Sequence, residues 1–153
     1  MKRSAGILLY RLRNHEPEFF LVHPGGPFWE GKDTGAWSVP KGEFEPEEPP
    51  LEAAKREFRE ETGLEISVDK ALALEPVTMK SGKVIYAWAV EGDMDPGKIS
   101  SNLFEITFKN GTVASYPEID RAGWFDIRDA VIKINPAQVA FIVELGNRLI
   151  KKK

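Results

Sequence analysis

Three carboxylates, Glu57, Glu60 and Glu61, stand at spacings of three and four residues inside the stretch Gly42 to Leu64. In a helix that spacing brings them to one face, while Leu51, Ala54, Phe58 and Thr62 recur on another and are predicted to meet a core. Carboxylates so placed repel by a few tenths of a kcal/mol per pair in an isolated helix. Arg56 and Arg59 supply part of the compensation. A hard divalent cation supplies more, because Mg²⁺ and Mn²⁺ prefer oxygen ligands from carboxylates, carbonyls, water and phosphates. A bare Glu-x-x-Glu-Glu is more often a solvated acidic face laced with arginine, and on the three acids alone that reading comes first.

Pro49 and Pro50 suit a helix start, since proline lacks an N–H that the first turn leaves unpaired anyway, and Gly63 suits its end. The whole stretch matches Gly-x5-Glu-x7-Arg-Glu-U-x-Glu-Glu-x-Gly-U, where U is a bulky apolar residue, with Gly42, Glu48, Arg56, Glu57, Glu60, Glu61 and Gly63 in register. Seven fixed residues coincide by chance with a probability on the order of 10⁻⁵. This pattern resembles the signature of the Nudix (MutT-like) hydrolases. Phe58 departs from it, being aromatic where the family usually carries an aliphatic residue, a difference that concerns packing behind the helix.

The resemblance implies an α/β fold, the Nudix-type α/β/α sandwich with a mixed, curved sheet. It implies cleavage of a nucleoside diphosphate linked to another moiety, by water attacking phosphorus with Mg²⁺, or Mn²⁺, as cofactor. The implied metal ligands are Glu57, Glu60, Glu61, the outlying Glu118 and the carbonyl of Gly42 or Lys41. Glu57 is the expected general base, Glu118 the next, and Arg56 is expected to orient a helix glutamate. Glu48 is expected to do the same from the loop or to serve a second ion. Glu105 competes with Glu118 for the outlying position.

Lys41 is placed to reach a phosphate. The run from Lys80 to Lys83 with Tyr86 and Trp88 resembles a strand of the enzymes acting on dinucleoside polyphosphates or inositol pyrophosphates, which makes Lys83 and Tyr86 candidate substrate contacts; core packing of Tyr86 and Trp88 is the competing expectation. A nucleoside triphosphate or dinucleoside polyphosphate is the first substrate class. An inositol pyrophosphate is the alternative and needs a basic pocket from Lys32, Lys41, Lys80, Lys83 and Arg121. A nucleotide-binding module without catalysis is a third reading, opposed by the intact acids.

The elements that position these groups follow from pattern. Ser4–Leu12 and Glu18–His23 are predicted strands joined by a polar linker that holds His15. Pro24 to Trp29 is a predicted loop whose Phe28 and Trp29 offer a stacking surface. Trp37–Pro40 reads as a short strand before the acidic helix, and the β-prone run 66–79 is broken at Pro76. Val84–Val90 is apolar on both faces and reads as a central strand. Leu103–Phe108 and Thr112–Tyr116 flank the turn signal Asn110-Gly111. Asp126 or Asp129 is expected to cap a short helix, and Pro136–Lys152 gives a final helix with Val139, Ile142, Val143, Leu145, Leu149 and Ile150 on its stripe and Lys151 to Lys153 at its negative end.

A length of 153 residues suits a single domain over 1–153. With 42% hydrophobic and 29% charged residues, the composition is that of an ordered globular chain. The net charge of −3 gives no broad attraction to duplex nucleic acid or an anionic membrane. No cysteine occurs, which excludes disulfides, thiolate nucleophiles and thiolate-bound zinc. Ala5 to Tyr10 is too short for a membrane span or a leader, so the expected setting is cytoplasmic and the expected partner a phosphoanhydride small molecule.

Overall fold

The computed structural model describes residues 2–151. Its first two strands, β1 (Arg3–Arg13) and β2 (Glu16–Pro24), run beyond the predicted bounds and leave only two residues between them. Asn14 and His15 both take left-handed backbone angles, φ 54° and 69°. Two such residues match the right-handed twist of paired strands, which is why a two-residue loop suffices.

The two strands do not stay together. Tyr10 to Arg13 pair with Phe19 to Glu16, but Ser4 to Gly6 pair instead with β3 (Lys41–Glu43). The segment before β3 wedges into the gap. Ile7 N donates to Pro40 O at 3.1 Å, and Val22 and Ser38 exchange both of their backbone hydrogen bonds at 2.9 Å. The predicted strand at Trp37–Pro40 is therefore reduced to isolated bridges, and the strand proper begins at Lys41. The change matters because β3 carries Lys41 and Gly42 alongside β1.

After β3 the helix α1 (Pro50–Thr62) follows the predicted bounds, with Pro49 extended at its cap and Gly63 left-handed (φ 76°) at its end. Gly63 N donates to Arg59 O at 2.7 Å, and a side chain at 63 would also approach within 2.7 Å of Ser100 O. Either constraint alone favours glycine. Ala53, Ala54, Phe58 and Thr62 are buried, and Leu51 is half-buried. Phe58 reaches Phe20 of β2 with ring centroids 6.3 Å apart, so the aromatic at this position fills space between helix and sheet. Its burial contributes on the order of 2–3 kcal/mol.

The run 66–79 yields two-residue strands only, β4 (Leu72–Ala73) and β5 (Val77–Thr78), separated by Pro76. Both pair with β6 (Val84–Glu91), which lies parallel to β1 from Arg3↔Val84 to Tyr10↔Glu91. The strand order β4-β6-β1-β2-β9, with β9 (Ile119–Asp126) antiparallel to β2, makes the sheet mixed, as predicted. β7 (Leu103–Thr107) and β8 (Val113–Pro117) form a separate hairpin around Asn110-Gly111.

Asp126 caps α2 (Ile127–Lys133), accepting from Asp129 N at 2.9 Å. The last helix, α3 (Val139–Lys151), starts later than predicted because 136–138 forms a 3₁₀ turn. Its buried face holds Phe141, Ile142 and Leu145, whereas Val143 and Ile150 of the predicted stripe are 45% and 62% exposed. Lys152 and Lys153 lie outside the described residues, as does the side chain of Lys151. Ala5, Ile7 and Leu9 of β1 face a core under α1, while Leu8 and Tyr10 face a second core under α2 and α3. A sheet covered on both faces accounts for the unbroken apolar runs of β1 and β2. No described helix is long and apolar enough to cross a membrane.

Candidate active site

The wedge at Lys41-Gly42 and the helix α1 meet at one place. Gly42 lies opposite Ala5, whose side chain points to the α1 side of the sheet, and there the carboxylate of Glu57 occupies the room a side chain at 42 would take. A Cβ on Gly42 would lie 1.9 Å from Glu57 Oε2. Glu57 is only 8% exposed, so its charge needs compensation close by.

Arg56 provides part of it. Its Nε and Nη2 donate to Glu48 Oε2 and Oε1 at 2.8 and 2.9 Å, a bidentate grip, and Nη1 donates to Glu57 Oε1 at 2.9 Å and Glu60 Oε2 at 3.0 Å. Glu48 is thereby held well below the usual carboxylate range by its hydrogen bonds to Arg56. The guanidinium itself is pushed up, chiefly by Glu48. Sequence reasoning expected Arg56 to orient a helix glutamate; the structure brings it to two of them and to Glu48.

The third helix acid is tied differently. Glu61 Oε1 accepts from Lys41 N at 3.0 Å. Each of the three helix carboxylates thus has one oxygen engaged, while Glu57 Oε2, Glu60 Oε1 and Glu61 Oε2 take no donor among the described residues. Glu118, between β8 and β9, lies near enough for its charge to act on Glu57 and Glu61, and Gly25 N donates to Glu118 O at 2.9 Å. Glu105 is exposed on the outer side of β7 and does not join.

Burial and crowding raise these acids together. Desolvation, then the Glu60 charge, pushes Glu57 up. Desolvation, with Glu60 behind it, does the same to Glu118. Glu61 is pushed up to about 8, mainly by desolvation, which outweighs the opposing pull of Lys41. The Lys41 ammonium is in turn lowered, first by burial and then by Lys83, against the pull of Glu61.

A divalent cation fits this donor set. The open atoms are all carboxylate oxygens, the hard donors Mg²⁺ selects, and their mutual repulsion is what a cation relieves. Among the described residues no three acidic or histidine side chains form a ready-made cage. Mg²⁺ would therefore be held by one or two of these carboxylates, with water and substrate phosphates completing its shell.

The raised acids give a pH prediction for the metal-free protein. Glu61 ionises near 4.5 when unfolded and near 8 when folded, so between these values the folded state holds a proton that the unfolded state has lost. Stability then falls as pH rises through that window and levels off above it. Thermal denaturation in chelator is expected to give a Tm that drops from pH 5 to pH 8.5, and Glu61→Gln is expected to flatten the drop. Parallel Tm curves for the two proteins refute the assignment.

The candidate substrate contacts are placed less uniformly. Lys83 Nζ pairs with Glu43 at 2.9 Å, and Glu43 is held below its ordinary range chiefly by that contact. Tyr86 packs edge-on to Phe44, with centroids 6.3 Å apart, half-buried on the α1 side. Phe28 is 78% exposed at the tip of the 24–35 loop, and Lys32 Nζ lies 5.5 Å above the Trp29 ring. That loop is clamped by buried His23, whose Nδ1 and Nε2 face Asp120 Oδ1 at 2.8 Å and Lys32 O at 2.7 Å. Sequence reasoning missed Glu43 and Asp120. Glu43 was within reach of it, since strand periodicity puts residues 41 and 43 on one face once Lys41 is known to begin the strand.

A mixed sheet between helices, with a loop–helix–loop delivering glutamates beside a half-buried lysine, is the frame of a hydrolase that cleaves phosphoanhydride bonds. The NUDIX domain family model matches residues 1–145, and the chain belongs to that family. Among solved structures it is similar to an Ap4A hydrolase from C. elegans in a binary complex, at 23% identity and TM-score 0.59, over 99% of this chain and 95% of that one. A mutT/nudix family protein from Listeria innocua is 15% identical with TM-score 0.62 over 99% and 95%. The NUDIX domain of Shewanella oneidensis NrtR, complexed with ADP ribose, is 12% identical with TM-score 0.60 over 98% and 86%. At these identities the structural likeness speaks for the fold alone.

Proposed function

We propose that this protein is a Mg²⁺-dependent hydrolase of a nucleoside diphosphate linked to a further group, with dinucleoside polyphosphates or nucleoside triphosphates as substrates. The observation that supports it most is the set of three helix carboxylates, each tied by one oxygen and open at the other, beside Lys41. One or two of the open oxygens of Glu57, Glu60, Glu61 and Glu118 would hold the cation, and the carbonyl at 41 or 42 is the expected backbone donor. Bound there, the cation offsets phosphate charge and acidifies water. The water oxygen bonds to phosphorus, its proton passes to a carboxylate that the cation leaves free, Glu57 first and Glu118 next, and the anhydride P–O bond breaks to release the phosphate leaving group. Without a cation, burial and then Glu60 raise the proton affinity of Glu57, and a cation bound beside it would lower it again.

The Ap4A hydrolase of like fold makes dinucleoside polyphosphates the first class to assay. The inositol pyrophosphate reading is weaker because the cations it needs are dispersed. Lys83 is engaged by Glu43, Arg121 lies over the Trp37 ring at 5.1 Å, and Lys32 lies over Trp29. A panel of nucleoside triphosphates, dinucleoside polyphosphates, ADP-ribose and inositol pyrophosphates, assayed in ¹⁸O-water with Mg²⁺, Mn²⁺ or chelator, tests the proposal. Turnover of a nucleotide with the label in one product and none in chelator is expected. No turnover of any nucleotide with either metal refutes it.

A further inference from the structure

We propose that a cavity of about 490 Å³, on the side of the sheet away from α1, is a binding site for a small organic amine with an apolar body. It opens between the tip of the β1–β2 hairpin and the helices α2 and α3, with Leu12, Ile127 and Leu149 among its walls. Its volume falls within the range of small-molecule sites, which combine apolar walls with a few polar groups. Leu12 and Ile127 remain 51% and 37% exposed, so the apolar surface extends to the mouth.

The polar groups specify the ligand's charge. Tyr10 lines the cavity and is 5% exposed, yet its hydroxyl has no hydrogen-bond partner among the described residues. Glu91 approaches it closely enough that burial and the Glu91 charge together raise the tyrosine pKa. The hydroxyl oxygen is accessible from the cavity, where it can accept from a ligand N–H. Glu91 and Glu16 make no ion pair among the described residues, and Asp126 uses one oxygen as the α2 cap. Against these three acids stand Arg128 and the imidazole of His15. The surplus is negative and favours a cation.

Gly146 lets Ile127 pack against the bare backbone of α3 at the cavity wall: a Cβ there would lie 2.8 Å from Ile127 Cδ1, so a side chain at 146 would displace Ile127 and reshape the cavity.

Amide chemical shifts of the ¹⁵N-labelled protein, titrated with tryptamine, tryptophol and indole-3-acetate, test the proposal on one ring system carrying three charges. Saturable shifts at Leu12, Ile127, Gly146 and Leu149 are expected, with tryptamine at least tenfold tighter than tryptophol, about 1.4 kcal/mol, and indole-3-acetate weakest. Glu91→Gln and Tyr10→Phe should each weaken tryptamine several-fold, and Gly146→Leu should abolish its binding while hydrolysis continues. Equal affinity for the three compounds, or indifference to Glu91→Gln, overturns the proposal even if Gly146→Leu fails to fold. So does sedimentation that reveals a dimer dissolved by Gly146→Leu, because a second copy of the chain then covers the cavity. These readouts do not depend on which phosphoanhydride is cleaved.

Discussion

Glu57→Gln is expected to lower turnover by about 10²-fold or more, a barrier increase of about 2.7 kcal/mol, with the fold intact. The amide is nearly isosteric with the acid. Its oxygen can still accept from Arg56 Nη1, as Glu57 Oε1 does at 2.9 Å. What the change removes is the negative charge and proton affinity of the oxygen above Gly42. It also removes a charge that crowds Glu60, so metal-free stability should hold or rise. Steady-state kinetics beside thermal denaturation separates these effects: lost turnover with an unchanged Tm supports direct participation, and an unchanged rate removes Glu57 from the mechanism. Mg²⁺ affinity measured by calorimetry then distinguishes a ligand, whose loss weakens uptake, from a base, whose loss leaves it.

The acidic helix was legible because everything that defines it is local. Pro50 at its start, Gly63 at its end and the three- and four-residue spacing of Glu57, Glu60 and Glu61 depend on residues one or two turns apart. The hairpin at Asn110-Gly111 was legible for the same reason. Errors arose where a distant partner decides. Trp37–Pro40 has strand-like composition, but it sits in the gap where β1 diverges from β2 and makes only isolated bridges, to Val22 and Ile134, so the ladder with β1 begins at Lys41–Glu43. Val143 and Ile150 fit the apolar period of α3 yet face outward, because the sheet beneath covers less of the helix than the period allows. Lys83 looked like a free cation only while Glu43, forty residues away, had no place.

The grouping of the helix acids was legible in the sequence, and their geometry was not. Spacing put three acids on one face, but only the wedge of Lys41-Gly42 shows which oxygen of each is engaged. That Arg56 would serve Glu48 as well as the helix needed the path of the 44–49 loop, which no periodicity describes. Glu118 joins the acids and Glu105 does not because β9 returns to the main sheet while β7 stays in the separate hairpin.

Gly42→Ala tests that geometry without removing a charge, and it is expected to cost turnover nearly as much as Glu57→Gln. Gly42 has no left-handed backbone angle, so alanine suffers no backbone strain there. Its methyl group would instead overlap the Glu57 carboxylate, 1.9 Å from Oε2 and 2.1 Å from Cδ. The overlapped group is the far end of a flexible side chain, which swings aside at small cost. Stability should therefore change by no more than about 1 kcal/mol, while the carboxylate leaves the position it shares with Glu60 and Glu61. The two substitutions act on one group, so their effects should not add: with either in place, the second should reduce turnover further by less than about threefold. If the double variant instead loses the product of the two single effects, Gly42 acts through something other than seating Glu57, its own carbonyl being the first alternative. A drop in turnover matched by a comparable loss of folded protein would show that the residue serves the β1–β3 pairing instead.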